Sequence, residues 1–357
     1  MKTMIHPLPH PLPRSVILDA GADMSWKEYE LAAEAAAVCF KKHYQEKSFN
    51  YCHPVHLQCG SEERFKAAYQ VKTGYLAWGD ASNPLVICLG GIANVAHRFN
   101  ALSMALQDNY YIVCPDWVGR GNSGWMRDQS DYGFDTYVEQ VRQLMVHLGE
   151  RPAIVLGSSL GGSVALELAQ AWPGQVRRLI LNDIGPFMPS ERRTRRAATL
   201  ARHYVFKSPA DILRKTGAAQ KNDGPVPSTM RILISHEQTQ WCAANGGRIY
   251  RYDIRAMQQY QVQANADVNQ WAQWAGVTCP VLLIHGMESD ALAPETIQRM
   301  QDRQDVTVMH IPDTGHTPAL GEANHIWFIH QWMVGNPMLA AEFCAPYSSR
   351  VPDTARA

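Results

Sequence analysis

The run "AIVLGSSLGGSVALELAQ", residues 153–170, sets two serines between glycines. A strand-like stretch leads into them and an alanine-rich helical stretch leads out. A serine hydroxyl presented on so tight a strand-to-helix turn can act as a nucleophile, provided the residues two before and two after are small enough for strand and helix to approach. Around Ser159 those residues are Gly157 and Gly161. Around Ser158 they would be Leu156 and Leu160, which would clash. Ser159 is therefore the candidate nucleophile, and Ser158 supports the turn by hydrogen bonding.

A serine needs a base to take its proton, and the base needs an acid to fix its tautomer. Of the fourteen histidines, His316 in "MHIPDTGHTPAL" follows a glycine in a loop just past the final apolar strand. In "VLLIHGMESDALAP", Asp290 lies in the loop after the preceding strand, ahead of a proline-started helix. The order Ser159, Asp290, His316 is the Ser-Asp-His order of one class of α/β enzymes. Asp183, at the end of "RRLILND", and Glu288 are rival acids, whereas Asp313 reads as a turn residue. An oxyanion would need two N–H donors. Leu160 offers one from the helix start. The loop "GGIAN" after the strand "LVICL" offers the other at Ile92, with Gly90 and Gly91 permitting close backbone approach.

The elements that would hold these groups alternate. Apolar strands "PLVICLGG", "YYIVCPD", "AIVLG", "VRRLILND", "PVLLIHG" and "VTVMHIP" are separated by helical stretches, the pattern of a parallel sheet covered on both faces. The stretches "VHLQC" and "AAYQVKTGYLAW" read as earlier antiparallel strands. Residues 186–277 contain no buried strand and read as a helical lid inserted between two late strands, above the strand ends where such sheets bind ligands. Its aromatic residues, Trp241, Tyr250, Tyr252, Trp271 and Trp274, read mostly as its own core, with one or two available to a substrate pocket. The expected organisation is an N-terminal arm and helix over 1–55, a first core part over 56–185, the insertion over 186–277, and a second core part with a C-terminal tail over 278–357. The proline-rich start reads as an extended arm. Ser25 and Glu28 form a capping box for a helix over "WKEYELAAEAAAVCFKKHYQEK". Its apolar stripe, Leu31, Ala35, Val38 and Cys39, serves either packing on the main domain or a homo-oligomer contact.

These motifs together resemble the α/β-hydrolase superfamily over about residues 70–335. The likeness rests on "GSSLGG", "PDWVGRGNS", "SDALAP" and "DTGHTPAL". "DWVGRGNS" is similar to the family's D-x-x-G-x-G-x-S turn, with Asp116, Gly119, Gly121 and Ser123 in place. "LNDIGP", "YRYD" and "HGMESD" are similar to a bacterial group whose substrates are mostly unassigned. The resemblance implies an α/β-hydrolase fold with a mostly parallel sheet and an inserted helical lid. Many members carry His-Gly before the oxyanion loop, where this chain has Gly90-Gly91. Dehalogenases and epoxide hydrolases of the superfamily use an aspartate at the elbow, where this chain has Ser159. C–C hydrolases usually follow the catalytic histidine with tryptophan, where this chain has Thr317.

The remaining features narrow the class. The chain of 357 residues has zero formal net charge and is 46% apolar, so no charge steers it to nucleic acid or an anionic membrane. No run approaches a membrane span, and the start lacks the apolar core of a secretory signal, which points to the cytoplasm. Cys88, Cys114 and Cys279 fall in or beside buried-looking strands and behave as small apolar residues. "CHPVHLQC" holds zinc-type ligands in Cys52, His53, His56 and Cys59, but no second pair at a matching spacing, so no metal or other cofactor is expected. The expected activity is ester hydrolysis of a small or medium acyl substrate. C–C hydrolysis, amide hydrolysis, acyl transfer, perhydrolase activity and plain ligand binding are the alternatives.

Overall fold

The computed structural model describes residues 24–344, apart from 54–55, 60–61, 66–67, 221–222, 225, 227, 304 and 340–341. The expected N-terminal arm and C-terminal tail lie outside these residues. Nine strands form the main sheet: β1 (Tyr44–His53), β2 (Tyr69–Trp78), β3 (Leu85–Leu89), β4 (Tyr111–Pro115), β5 (Ala153–Ser158), β6 (Val176–Asn182), β7 (Val281–Gly286), β8 (Val306–Ile311) and β9 (Glu342–Cys344). Their order is β1-β2-β4-β3-β5-β6-β7-β8-β9. Only β2 runs against its neighbours; every pairing from β4 to β9 is parallel.

The central strands are apolar throughout because both faces are covered. Side chains alternate between two cores, as strand geometry requires. Ile87, Val155 and Leu283 face one core with Val141 and Leu144 of α3 (Phe134–His147) and Val164 and Leu168 of α4 (Leu160–Ala171). Val86, Leu156 and Ile284 face the other core. That core also holds Phe40 of the first helix, α1 (Trp26–Lys41), Leu102 of α2 (Asn100–Leu106) and Phe328 of α10 (Ala323–Met333). Cys88, Cys114 and Cys279 are buried as expected.

The N-terminal helix departs from its sequence reading in two ways. The Ser25–Glu28 capping box is present, but the helix stops at Lys41 and residues 44–47 belong to β1. Pairing of Tyr44 with Trp78 and Lys47 with Tyr75 overrides the helical propensity of "YQEK". The buried face is Tyr29, Ala33, Ala36, Ala37 and Phe40, whereas Leu31 and Val38 are exposed. That face docks on α7 (Ser228–Glu237), where the Tyr29 hydroxyl meets Ser235 Oγ at 2.9 Å.

Between β6 and β7 the chain leaves the sheet for about a hundred residues, as the sequence pattern indicated. This segment carries α5 (Ser190–Leu200), α6 (Pro209–Gln220), α7, α8 (Ile254–Gln263) and α9 (Trp271–Gly276). It also contains short strands. Phe187–Met188 pairs with Val268–Asn269, and Gly247–Tyr250 pairs with both Val205–Phe206 and Thr239–Cys242. Among its aromatic residues Trp274 is buried, Tyr250 and Tyr252 stack at 5.2 Å, and Trp241 is exposed rather than core. No helix among the described residues is long and apolar enough to cross a membrane.

Tyr29→Phe deletes the buried hydroxyl pair between α1 and α7 while Ser235 keeps its bond to the Ile232 carbonyl. A stability loss of about 1 kcal/mol is expected in denaturant unfolding. A loss below the resolution of that measurement would show that the hydroxyl pair does not hold the helix.

Candidate active site

Ser159 links β5 to α4 with φ 51° and ψ −116°, a left-handed conformation that costs a non-glycine residue about 1–3 kcal/mol. The flanking glycines make the turn feasible. A Cβ on Gly157 would fall within 2.3 Å of the Gly161 carbonyl, and one on Gly161 within 2.2 Å of the Leu89 carbonyl. This is the strand–helix approach that singled out Ser159 over Ser158. Ser158 accepts a 2.8 Å hydrogen bond from Asn182 Nδ2, the supporting role expected of it.

His316 lies with Nε2 3.0 Å from Ser159 Oγ. Its Nδ1 meets Asp183 Oδ2 at 2.9 Å. The acid beside His316 is therefore Asp183, not Asp290. Asp183 is fully buried, and its carboxylate also accepts from the Gly286 N–H at 3.0 Å and the Ser289 hydroxyl at 2.5 Å. Asp290 points into the inserted segment instead, where it pairs with Arg192 at 2.8 Å and Arg195 at 2.6 Å. Its side chain remains 55% exposed, so it is spent on holding α5. Burial raises the Asp290 carboxyl, but the Arg192 charge and the hydrogen bonds from both arginines outweigh that and leave it below the usual range. The rival Glu288 donates its backbone N–H to the Thr314 carbonyl at the base of the His316 loop. Asp313 has φ 51°, in keeping with a turn.

Burial of the imidazole lowers the pKa of His316 from its ordinary value. The Asp183 hydrogen bond and charge oppose the shift, while Arg192 and Arg196 add to it. The loop that carries His316 is fixed from three sides. Arg98, itself buried against Asp223 at 2.8 Å, donates to the Thr317 carbonyl at 2.7 Å. Asn182 Nδ2 donates to the Pro318 carbonyl at 2.9 Å, and the Ala319 N–H reaches the Asp223 carbonyl at 2.9 Å.

Ile92 and Leu160 both border the cavity that holds Ser159. Leu160 opens α4, so its N–H belongs to the first turn, which lacks intrahelical acceptors. The loop bearing Ile92 keeps a firm anchorage with Gly90-Gly91 in place of His-Gly. Trp117 Nε1 donates to the Gly90 carbonyl at 2.9 Å, and Arg120 Nε to the Ile92 carbonyl at 2.9 Å. Asn94 Oδ1 accepts from the Gly91 N–H at 2.9 Å. Trp117 and Arg120 come from the "DWVGRGNS" turn, where Ser123 Oγ donates to the Asp116 carbonyl at 2.8 Å. Asp116 and Ser123 were marked by the sequence motif, whereas Trp117, Arg120 and Asn94 were not singled out from the sequence.

The cavity beside Ser159 measures about 230 Å³. The core contributes Tyr132 and Phe134, and the inserted segment contributes Met188, Tyr260, Val268 and Gln270. The aromatic residue supplied by the insertion is thus Tyr260, not one of the five considered from the sequence. Trp271 and Trp274 border a separate open groove beneath Arg299 and Arg303. In the cysteine-histidine stretch, His53 is buried, 3.0 Å from the Tyr51 hydroxyl and 3.6 Å from Asp131, and Cys52 is exposed. The side chains of His56 and Cys59 lie outside the described set. Among the described residues no group of three or more His, Cys, Asp or Glu side chains is placed to hold a metal ion.

Residues 83–323 match the family model described as alpha/beta hydrolase fold. A 3-hydroxybutyrate-oligomer hydrolase of Cupriavidus necator is 27% identical over 283 residues, covering 74% of this chain and 93% of that protein. A serine hydrolase-like protein of Danio rerio is 32% identical over a shorter stretch, 32% of this chain and 35% of that protein. A solved structure from Rickettsia typhi has a TM-score of 0.74 at 24% identity, covering 81% of this chain and 99% of that one. An alpha/beta hydrolase from Novosphingobium aromaticivorans has a TM-score of 0.67 at 24% identity, covering 82% and 98%. The two structural likenesses speak to the fold alone.

Gly161→Ala forces its methyl against the Leu89 carbonyl. Overpacking of this kind costs about 1–3 kcal/mol, and a lowered melting temperature is expected. A variant as stable as the wild type would show that strand and helix can separate at no cost.

Proposed function

Because the chain belongs to the alpha/beta hydrolase family, we propose that it is a serine hydrolase that cleaves carboxylic esters of a small or medium acyl group through an acyl-enzyme. One observation carries this reading: His316 bridges Ser159 Oγ and Asp183 Oδ2 through opposite ring nitrogens, at 3.0 and 2.9 Å. An ionised carboxylate can only accept, so Nδ1 carries the proton and Nε2 presents its lone pair to the Ser159 hydroxyl. His316 takes the Ser159 proton as Oγ adds to the ester carbonyl. The N–H groups of Leu160 and Ile92 stabilise the oxyanion. His316 then hands the proton to the departing alkoxide, leaving the acyl group on Ser159. Water, deprotonated by His316, releases the acid and regenerates the hydroxyl. Asp183 holds the imidazole upright and offsets its charge while it is protonated. These steps call on no metal or cofactor.

The ester bond is favoured over other acyl bonds by the Cupriavidus relative, which is described as acting on oligomers of a hydroxy acid. The size of the acyl group follows from the cavity of about 230 Å³. Residues 186–277 serve in this reading as the lid of that cavity, since Met188, Tyr260, Val268 and Gln270 form part of its wall.

Hydrolysis of 4-nitrophenyl esters from acetate to dodecanoate tests the proposal. The wild type should favour the shorter chains, and Ser159→Ala should lower kcat by about a millionfold. Turnover retained in a folded Ser159→Ala variant would sink it. Asp183→Asn should lower kcat by about ten-thousandfold, and Asp290→Asn by less than about tenfold, since the exposed ion pairs of Asp290 contribute little. The reverse ranking would restore Asp290 as the acid. The base works only as neutral imidazole, and burial lowers the His316 pKa. The acid limb of kcat/KM should therefore have its midpoint below 6.5, the ordinary imidazole value, with a plateau through neutrality. A midpoint at or above 6.5 would contradict the burial argument.

A further inference from the structure

Gln270 belongs to the inserted segment and is placed just ahead of α9. It is 95% buried, since only 5% of its surface is exposed. Its Nε2 donates to the Ser163 carbonyl at 3.0 Å. A carbonyl can only accept, so that bond fixes the amide orientation and leaves Oε1 as the atom without a role. Oε1 is buried and has no hydrogen-bond partner among the described residues. Gln270 and Ser163 both border the Ser159 cavity. Ser163 stands one helical turn beyond Ser159, with its N–H 3.1 Å from the Ser159 carbonyl. The orphan acceptor thus belongs to a side chain anchored on the helical turn that follows the reacting serine.

A buried acceptor left unpaired is costly, and a ligand donor that reaches it recovers that cost. The wall around it is otherwise largely apolar or aromatic, through Met188, Val268, Tyr260 and Phe134. Arg193 and Glu167 also border the cavity, one cation and one anion, so the site has no net charge to attract an ammonium group. A neutral hydroxyl suits it. An acyl group attached to Ser159 occupies this cavity, so a hydroxyl borne on a short acyl chain is such a donor. We propose that Gln270 Oε1 accepts a hydrogen bond from the acyl hydroxyl of a short 3-hydroxyacyl ester and thereby selects it over the plain acyl ester. This rests on the serine-hydrolase reading above and assigns Gln270 as its specificity-determining residue.

The test compares 4-nitrophenyl 3-hydroxybutyrate with 4-nitrophenyl butyrate. In the wild type the ratio of kcat/KM should favour the hydroxylated ester by about tenfold, the worth of one buried hydrogen bond. In Gln270→Met, which keeps the volume and loses the acceptor, the ratio should fall close to one. Gln270→Glu, which keeps an acceptor, should retain more of the preference than Gln270→Met. A ratio that is unchanged in Gln270→Met, with both rates moving together, overturns the proposal and leaves Gln270 a structural residue. Binding decides the matter if the Met variant does not fold or the wild type turns over neither ester. Calorimetry on the Ser159→Ala protein would compare 3-hydroxybutyramide with butyramide. Tighter binding of the hydroxylated amide by about tenfold supports the subsite, and equal affinity overturns it. Failure of ester turnover alone, with the binding preference intact, would count against the hydrolase reading and not against the subsite.

Discussion

The close approach of β5 and α4 at Ser159 is the constraint on which the site depends. A left-handed serine between two helix-and-strand partners exists only because Gly157 and Gly161 leave no Cβ in the gap. The strain is local, and the surrounding parallel sheet holds it. Val155 and Leu156 are locked into opposite cores, so the strand cannot rotate to relax the turn. The same turn starts α4, so the strained residue and the first free N–H of the helix are adjacent by construction. In the proposed reaction, nucleophile and one oxyanion donor therefore come from a single backbone feature.

The second constraint is strand register. Ser158 stands opposite Asn182 across β5 and β6, so the next residue on each strand, Ser159 and Asp183, leaves the sheet at one level. Asn182 uses that position to bind Ser158 Oγ and the Pro318 carbonyl, tying the turn to the His316 loop. Asp183 itself takes a left-handed φ of 57° and lies across the end of β7, where the Gly286 N–H and the Ser289 hydroxyl steady it. A carboxylate buried among three donors is both oriented and kept from competing partners. Asp290, four residues past the end of β7 and half exposed, is engaged by two guanidinium groups instead.

Much of this was legible in the chain. The alternation of apolar strands and helices gave the sheet, and the glycine spacing gave Ser159. The position of His316 past the last long strand gave the histidine that meets it. Chain order alone could not choose between Asp183 and Asp290, because both lie between serine and histidine in sequence. Register would have decided it: "LGSS" and "ILND" end two neighbouring strands, and their final residues align. The β1 strand was hidden by a helix-favouring "YQEK", since its pairing partner lies thirty residues on and propensity sees only neighbours. The loop anchors Arg98, Trp117 and Arg120 were equally hidden, because each binds a backbone carbonyl that no side-chain motif marks.

The inserted segment shows how a large insertion can leave such a site undisturbed. It departs at Asp183 and returns at Val281, yet its two ends are joined close to the sheet. The Gln270 N–H donates to the Pro186 carbonyl at 2.6 Å, and Phe187–Met188 pairs with Val268–Asn269. This neck supplies Met188, Val268 and Gln270 to the cavity wall, and Gln270 fastens it to α4 through the Ser163 carbonyl. The helices beyond the neck are held separately: α5 by Asp290, α7 by α1, and the Tyr252 stretch by its bridge to Arg120. Closing a loop at its base makes the cost of further chain beyond the closure grow only slowly with length. The neck thus fixes Met188, Val268 and Gln270 beside Ser159, while α5 and α8 bring Arg193 and Tyr260 to the same wall from beyond it.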